Sequence, residues 1–220
     1  MIASEIVTAV LSKTLSPDHD EDSALEIINR GLLDIAGGGD RPHGEALVAP
    51  LPALLTSAVV TVLASGSTVA MPSDYHRGLV RVTYLGEPLQ RYENFYEFME
   101  MYEGETGDPE GYCLKGNTLW LGPVSASARA LTVYYHKFPA TLIETSTPSE
   151  LPSHLQYKLL YNYACREIYS GIEQGLEGHS PDTAKHAIAY RDALTDLERY
   201  IGPADGFAVN VGDDEYFPNL

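Results

Sequence analysis

The hydrophobic period of this chain changes twice, and no single-class fold survives the change. Near both ends apolar residues recur at helical spacing. Between residues 56 and 140 the spacing drops to two, the mark of strands whose side chains alternate between faces. The order predicts an α+β protein. Residues 1–55 plus 141–202 form a helical bundle built from both chain ends. Residues 56–140 form an inserted small antiparallel β module, sandwich-like or barrel-like. Residues 203–220 are left as a C-terminal extended arm.

The strongest helical signal runs from residue 150 to residue 201. Ser153 and Gln156 read as a capping box, each side chain meeting a free N–H of the first turn. Leu155, Leu159, Tyr163 or Ala164, and Ile168 then share one face. The pattern breaks at residues 175–178 and resumes after Ser180, with Pro181 in the first helical position, where a missing N–H costs nothing. Ala184, Ala187, Ile188, Arg191, Leu194, Leu197 and Ile201 predict the buried face of the second helix, and Gly202-Pro203 stops it. Toward the N-terminus, Ile6, Val7, Val10 and Leu11 predict a helix over residues 3–13. A second runs through Leu25, Ile28, Leu32, Leu33 and Ile35 to Gly37-Gly38-Gly39, with Ser23 and Glu26 as its capping box.

Within the β module, Val60 and Val62, then Thr68, Val69 and Met71, read as short strands around a turn at Gly66. Residues 78–85 alternate cleanly, and Gly86-Glu87-Pro88 is a turn. Phe95, Phe98, Met99 and Tyr102 place a short helix over residues 94–102, followed by an acidic Gly/Pro loop. Lys115-Gly116-Asn117 turns a hairpin between residues 112–114 and 118–121, and residues 130–137 add one more strand.

A formal net charge of −17 and a pI near 4.6 argue against a protein that grips nucleic acid, which needs clustered Lys and Arg. The same charge suits a surface that DNA passes without adhering. No apolar run approaches a membrane span, and the apolar stretch near the N-terminus lacks the basic flank of a signal peptide. Cys113 and Cys165 read as an inert pair of buried thiols, with a disulfide or a catalytic thiol as the alternatives.

The usual catalytic signatures are missing. The acidic run 18–22 places Ser23 and Asn29 where a calcium loop needs Gly and Glu, so it reads as helix N-terminus chemistry. The triple glycine has no following Lys and follows a helix, which rules against a phosphate loop. The histidines, His154, His179 and His186 among them, have no metal-ligand spacing, and no Gly-x-Ser-x-Gly occurs. No catalytic residue, metal or cofactor is expected.

Tyrosine is the unusual component, at 15 residues. Tyr157, Tyr161, Tyr163 and Tyr169 on one helix cover more than one face, which suits a surface dry in an assembly and wet outside it. Tyr157, Tyr161, Tyr169 and Tyr190 are the candidate subunit-interface residues. A terminus is disordered by default, yet residues 203–220 space Phe207, Val209, Val211, Tyr216 and Phe217 among acids, as an arm that orders on a partner does.

The order of several motifs resembles the head-to-tail adaptor (head-completion, neck connector) proteins of tailed double-stranded DNA bacteriophages. The motifs are Ile27-Ile28-Asn29-Arg30-Gly31-Leu32-Leu33-Asp34-Ile35-Ala36-Gly37; Val69-Ala70-Met71-Pro72-Ser73-Asp74-Tyr75; the hairpin of residues 112–123; residues 131–139 with their Tyr-Tyr pair; and the Tyr-rich helical hairpin. The likeness spans roughly residues 20–201, while residues 37–55 and those after 203 align with nothing in the family. It implies a structural virion protein in the neck, assembled in the host cytoplasm. Copies form a ring, usually of twelve, beneath the portal protein and above a tail tube, nozzle or second connector. DNA passes through the lumen without specific binding, no membrane is involved, and the C-terminal arm docks on the portal. Two alternatives belong to other classes: a phage-tail hydrolase using a carboxylate pair on the β module, and a monomeric β-sandwich binding module.

Overall fold

The computed structural model describes residues 1–16, 18–38, 49–173 and 181–202. Among them are five helices and two four-stranded sheets, an α+β fold. The chain divides into two compact units, residues 1–53 with 139–220, and residues 54–138.

The first unit is helical. Helix α1 (Ala3–Thr14), α2 (Glu21–Gly37), α4 (Gln156–Ile172) and α5 (Pro181–Ile201) build it, and α4 packs against the other three. A helix with neighbours on three sides must be apolar around most of its circumference. Leu159, Leu160, Ala164, Cys165 and Ile168 of α4 are accordingly almost wholly buried. Gly31 of α2 allows the closest approach: a Cβ there would stand 2.6 Å from the ring of Tyr163.

The chain returning from the β unit is sewn to these helices through its backbone. Asn29 donates from Nδ2 to the Leu142 carbonyl (3.0 Å), and its Oδ1 accepts the Leu142 N–H (2.7 Å). The Ser146 and Glu144 carbonyls accept the N–H groups of Ala3 and Ser4, satisfying the first turn of α1.

Helix starts differ from expectation in instructive ways. The capping box of α2 is Asp20 with Ser23, one turn earlier than the expected Ser23 and Glu26. At α4 the expected Ser153–Gln156 box does not form. The Gln156 side chain is buried and donates to the Pro148 and Leu151 carbonyls, both at 3.1 Å. Pro181 is the first residue of α5, but the free N–H groups of Asp182 and Thr183 go to the Glu173 carboxylate, just past the end of α4. The buried face of α5 is also rotated from the expected one. His186, Tyr190, Ala193, Leu194 and Leu197 are buried, whereas Ala184, Ile188 and Arg191 are exposed.

The second unit is a sandwich. One sheet has the order β1 (Leu55–Val62), β8 (Arg129–Lys137), β3 (Tyr75–Tyr84), β4 (Glu87–Pro88), all antiparallel. The other has the order β2 (Thr68–Ala70), β7 (Thr118–Gly122), β6 (Gly111–Lys115), β5 (Gln90–Tyr92), with β5 parallel to β6. Val60, Val62, Leu79, Val82, Leu131 and Val133 from the first sheet meet Tyr112, Leu119 and Leu121 from the second in one core. The turn at Gly66 thus passes the chain from one sheet to the other. Leu85 and Gly86, both at positive φ, make the turn after β3, and Glu87-Pro88, expected within it, is a short edge strand.

Helix α3 (Phe95–Tyr102) docks on the second sheet. Phe95 meets Trp120 edge-on at 5.0 Å, while Tyr92, Phe98 and Tyr102 form a cluster with centroids 5.3–5.8 Å apart. Gly111 and Gly122 are register partners, and the Tyr102 ring fills the space that a side chain on either would need.

Candidate assembly surface

Three of the four tyrosines singled out by sequence come together along the α4–α5 seam. Tyr157 and Tyr161, one turn apart on α4, stack at 4.8 Å. Tyr161 meets the edge of His186 at 5.7 Å, and Tyr169 stacks on the same imidazole at 5.6 Å. His186 Nδ1 lies 2.9 Å from Asn162 Oδ1, and the Tyr169 hydroxyl donates to the Lys13 carbonyl. Burial raises Tyr161 and Tyr169 and lowers His186, so all three rings are uncharged near neutrality. The seam opens to solvent at Tyr157, which is 37% exposed. On α5, Tyr200 is 62% exposed and meets His154 edge-on, and Ile188 is 57% exposed. Rings with one wet edge in such a row are what a protein–protein contact uses.

Tyr190 is a different case. It is only 1% exposed, donates to Asp34 Oδ2 at 2.8 Å, and meets Tyr163 edge-on at 5.5 Å. The Arg166 guanidinium lies over both rings, 4.8 and 5.1 Å from their centroids. Burial and Asp34 together raise the Tyr190 hydroxyl far above its usual value. The protomer therefore uses this ring internally, and it offers no surface to a neighbour. Periodicity placed Tyr190 on the outer side because the buried face of α5 was read one step around the helix.

Residues from three of the motifs quoted in the sequence act as internal latches. Asn29 and Gly31 fix α2 to the returning chain and to α4. Asp74 accepts the Tyr135 hydroxyl at 2.6 Å and, through its carbonyl, the Phe138 N–H, closing β3 onto β8. Burial and Asp74 push Tyr135 up to about 12. The two thiols are free and buried, and burial pushes Cys165 up to about 11, well away from thiolate chemistry at neutral pH. Among the described residues, no three His, Cys, Asp or Glu side chains gather as a metal site would require, and no helix is long and apolar enough to cross a membrane. The arm residues Phe207, Val209, Val211, Tyr216 and Phe217, and His179, lie outside the described residues.

These features define an α+β scaffold whose recognisable motifs hold it together. The profile of the SU10 adaptor protein family matches residues 1–209, and the chain belongs to that family. It is a bacteriophage adaptor protein, a structural component of the virion. No curated protein matches the sequence.

Proposed function

We propose that the protein forms a ring in the virion neck, joining the portal at the capsid vertex to the tail and lining the channel through which DNA leaves. Helical units stand side by side, with Tyr157 and the open edge of Tyr161 at the contact between copies. The observation that carries this reading is the half-exposed aromatic row on α4 in a chain of an adaptor family. Charge supports it as well. A ring of twelve carries about 200 formal negative charges, and a repulsive lumen lets phosphate pass without adhesion. The arm after Gly202 is the element we assign to the portal, and a tail component lies beneath the ring.

Native mass spectrometry and negative-stain imaging of the purified protein, alone and with purified portal, test the ring. A protein that stays monomeric in both conditions refutes it. Tyr157→Glu is expected to abolish ring formation while the far-UV spectrum is unchanged. Deleting residues 203–220 is expected to weaken portal docking with the protomer still folded, and undiminished docking rules the arm out.

A further inference from the structure

The β unit leaves one sheet edge bare in a way natural sheets avoid. Three of its four edges are blunted: β2 and β5 are three residues long, and β4 is two residues long and contains Pro88. The fourth, β1, is eight residues long and pairs with β8 in register without a bulge. No charged residue occurs between Glu45 and Asp74, in a chain of which 20% is charged. On the open face Leu55, Val59 and Leu63 are 49%, 68% and 73% exposed. A long, regular, apolar edge without Lys, Pro or a bulge is a template for another strand, and among the described residues nothing occupies it.

The chain carries a segment of matching character. Between Asp205 and Asp213 it reads Gly206-Phe207-Ala208-Val209-Asn210-Val211-Gly212, uncharged and alternating at the period of a strand. Extended, it spans about 23 Å against about 26 Å for β1. Acidic residues at both ends lie outside the ladder. We infer that residues 206–212 of one copy add as a strand to the free edge of β1 in a neighbouring copy. Phe207, Val209 and Val211, alternating at the period of a strand, then share one face of the added strand and extend the apolar face of β1 around Val59.

The alternative of pairing β1 with β1 makes a two-fold contact that closes at two copies, whereas strand donation is head-to-tail, the contact type that a ring of more than two copies requires. The inference rests on the ring proposed above and refines the arm: its first half binds copies together, leaving Tyr216 and Phe217 to reach the portal.

Disulfide trapping tests it, because both natural thiols are buried. Val59→Cys and Val209→Cys proteins with different tags are mixed, assembled with and without portal, and oxidised. The expected product is a cross-linked pair carrying both tags. Val209→Pro, which removes a ladder donor, is expected to speed amide exchange in β1 about tenfold in the assembled state, with an unchanged far-UV spectrum. Failure to cross-link in every condition overturns the inference. So does self-linking of Val59→Cys alone, which would mean β1–β1 pairing. A protein carrying both Val59→Cys and Val209→Cys is oxidised in parallel, and a 59–209 link that forms only within its single chains, with none between the two tagged proteins, overturns the inference as well. Native mass spectrometry of the unmodified protein reads the ring separately. A ring without the link sinks only strand donation, and the link without a ring sinks only the ring.

Discussion

Replacing Gly31 with alanine sets two effects of opposite sign against each other. In a helix interior, Gly→Ala gains about 1 kcal/mol of propensity. At Gly31 the new Cβ would stand 2.6, 2.9 and 3.2 Å from three atoms of the Tyr163 ring, where carbon contacts normally settle at about 3.5–4.0 Å. The ring has nowhere to retreat, since Tyr190 meets it edge-on and Arg166 covers its face. Overpacking a core costs about 1–3 kcal/mol, and a ring held this tightly belongs at the upper end. The net expectation is a loss of about 2 kcal/mol, or roughly 4–8 °C in Tm for a chain of this size. Urea unfolding followed by circular dichroism at 222 nm reads the helical unit, while fluorescence of Trp120, the single tryptophan, reads the β unit. In a Tyr163→Leu background the clash disappears, and Gly31→Ala is expected to be neutral or to stabilise by up to about 1 kcal/mol. A Gly31→Ala protein as stable as the parent, or more so, refutes the packing argument.

The same unit supports three further expectations. Tyr190→Phe removes a buried hydrogen bond to a carboxylate, and about 1.5–3 kcal/mol should be lost in urea titrations monitored at 222 nm. Asn29→Ala removes both bonds to Leu142 and should cost about 1–3 kcal/mol, with faster amide exchange over residues 142–146; unchanged exchange there would show that the returning chain is held by other means. Burial holds the His186 imidazole below its usual 6.5, with Lys185 and Lys13 adding to the shift and Asp182 opposing it. The unfolded chain therefore binds the proton more readily, so stability is full above pH 6.5 and falls as pH drops from there toward the folded value. His186→Gln should flatten that slope; only part of it disappears, because burial lowers His76 and His136 in the same direction.

Helix positions and the division into helical and β-rich stretches were readable because long periodic runs over-determine them. The α4 stripe was read correctly for that reason: Leu155, Leu159 and Ile168 are apolar and buried without ambiguity. On α5 the expected face is rotated part of the way around: Leu194 and Leu197 are buried as expected, whereas Ala184, Ile188 and Arg191 are exposed. The buried face there contains His186 and Tyr190, which count as half-polar until Asn162 and Asp34 are seen to satisfy them, while Ala184 and Ile188 advertise a face that stays wet. Caps slipped for a related reason. Several residues near each helix start can cap, and tertiary partners such as Glu173 for α5 lie too far away in sequence to suggest themselves. Strand β5 was missed because three residues, Gln90-Arg91-Tyr92, carry no period, and its pairing with β6 is parallel. Nothing in the sequence told which strands share a sheet. Of the candidate interface residues, the α4 tyrosines were legible as an excess of one residue type, but which of them faced outward depended on packing.

The β unit begins and ends on adjacent strands, with Leu55 paired to His136. Neighbouring strands lie about 5 Å apart, so the helical unit need only span that gap to continue without the insertion. The closure entropy of such a gap changes slowly with whatever is placed in it. The β unit is therefore a replaceable cartridge. A short turn in its place should leave a helical unit able to fold, and a different domain with adjacent termini could be grafted at the same two positions.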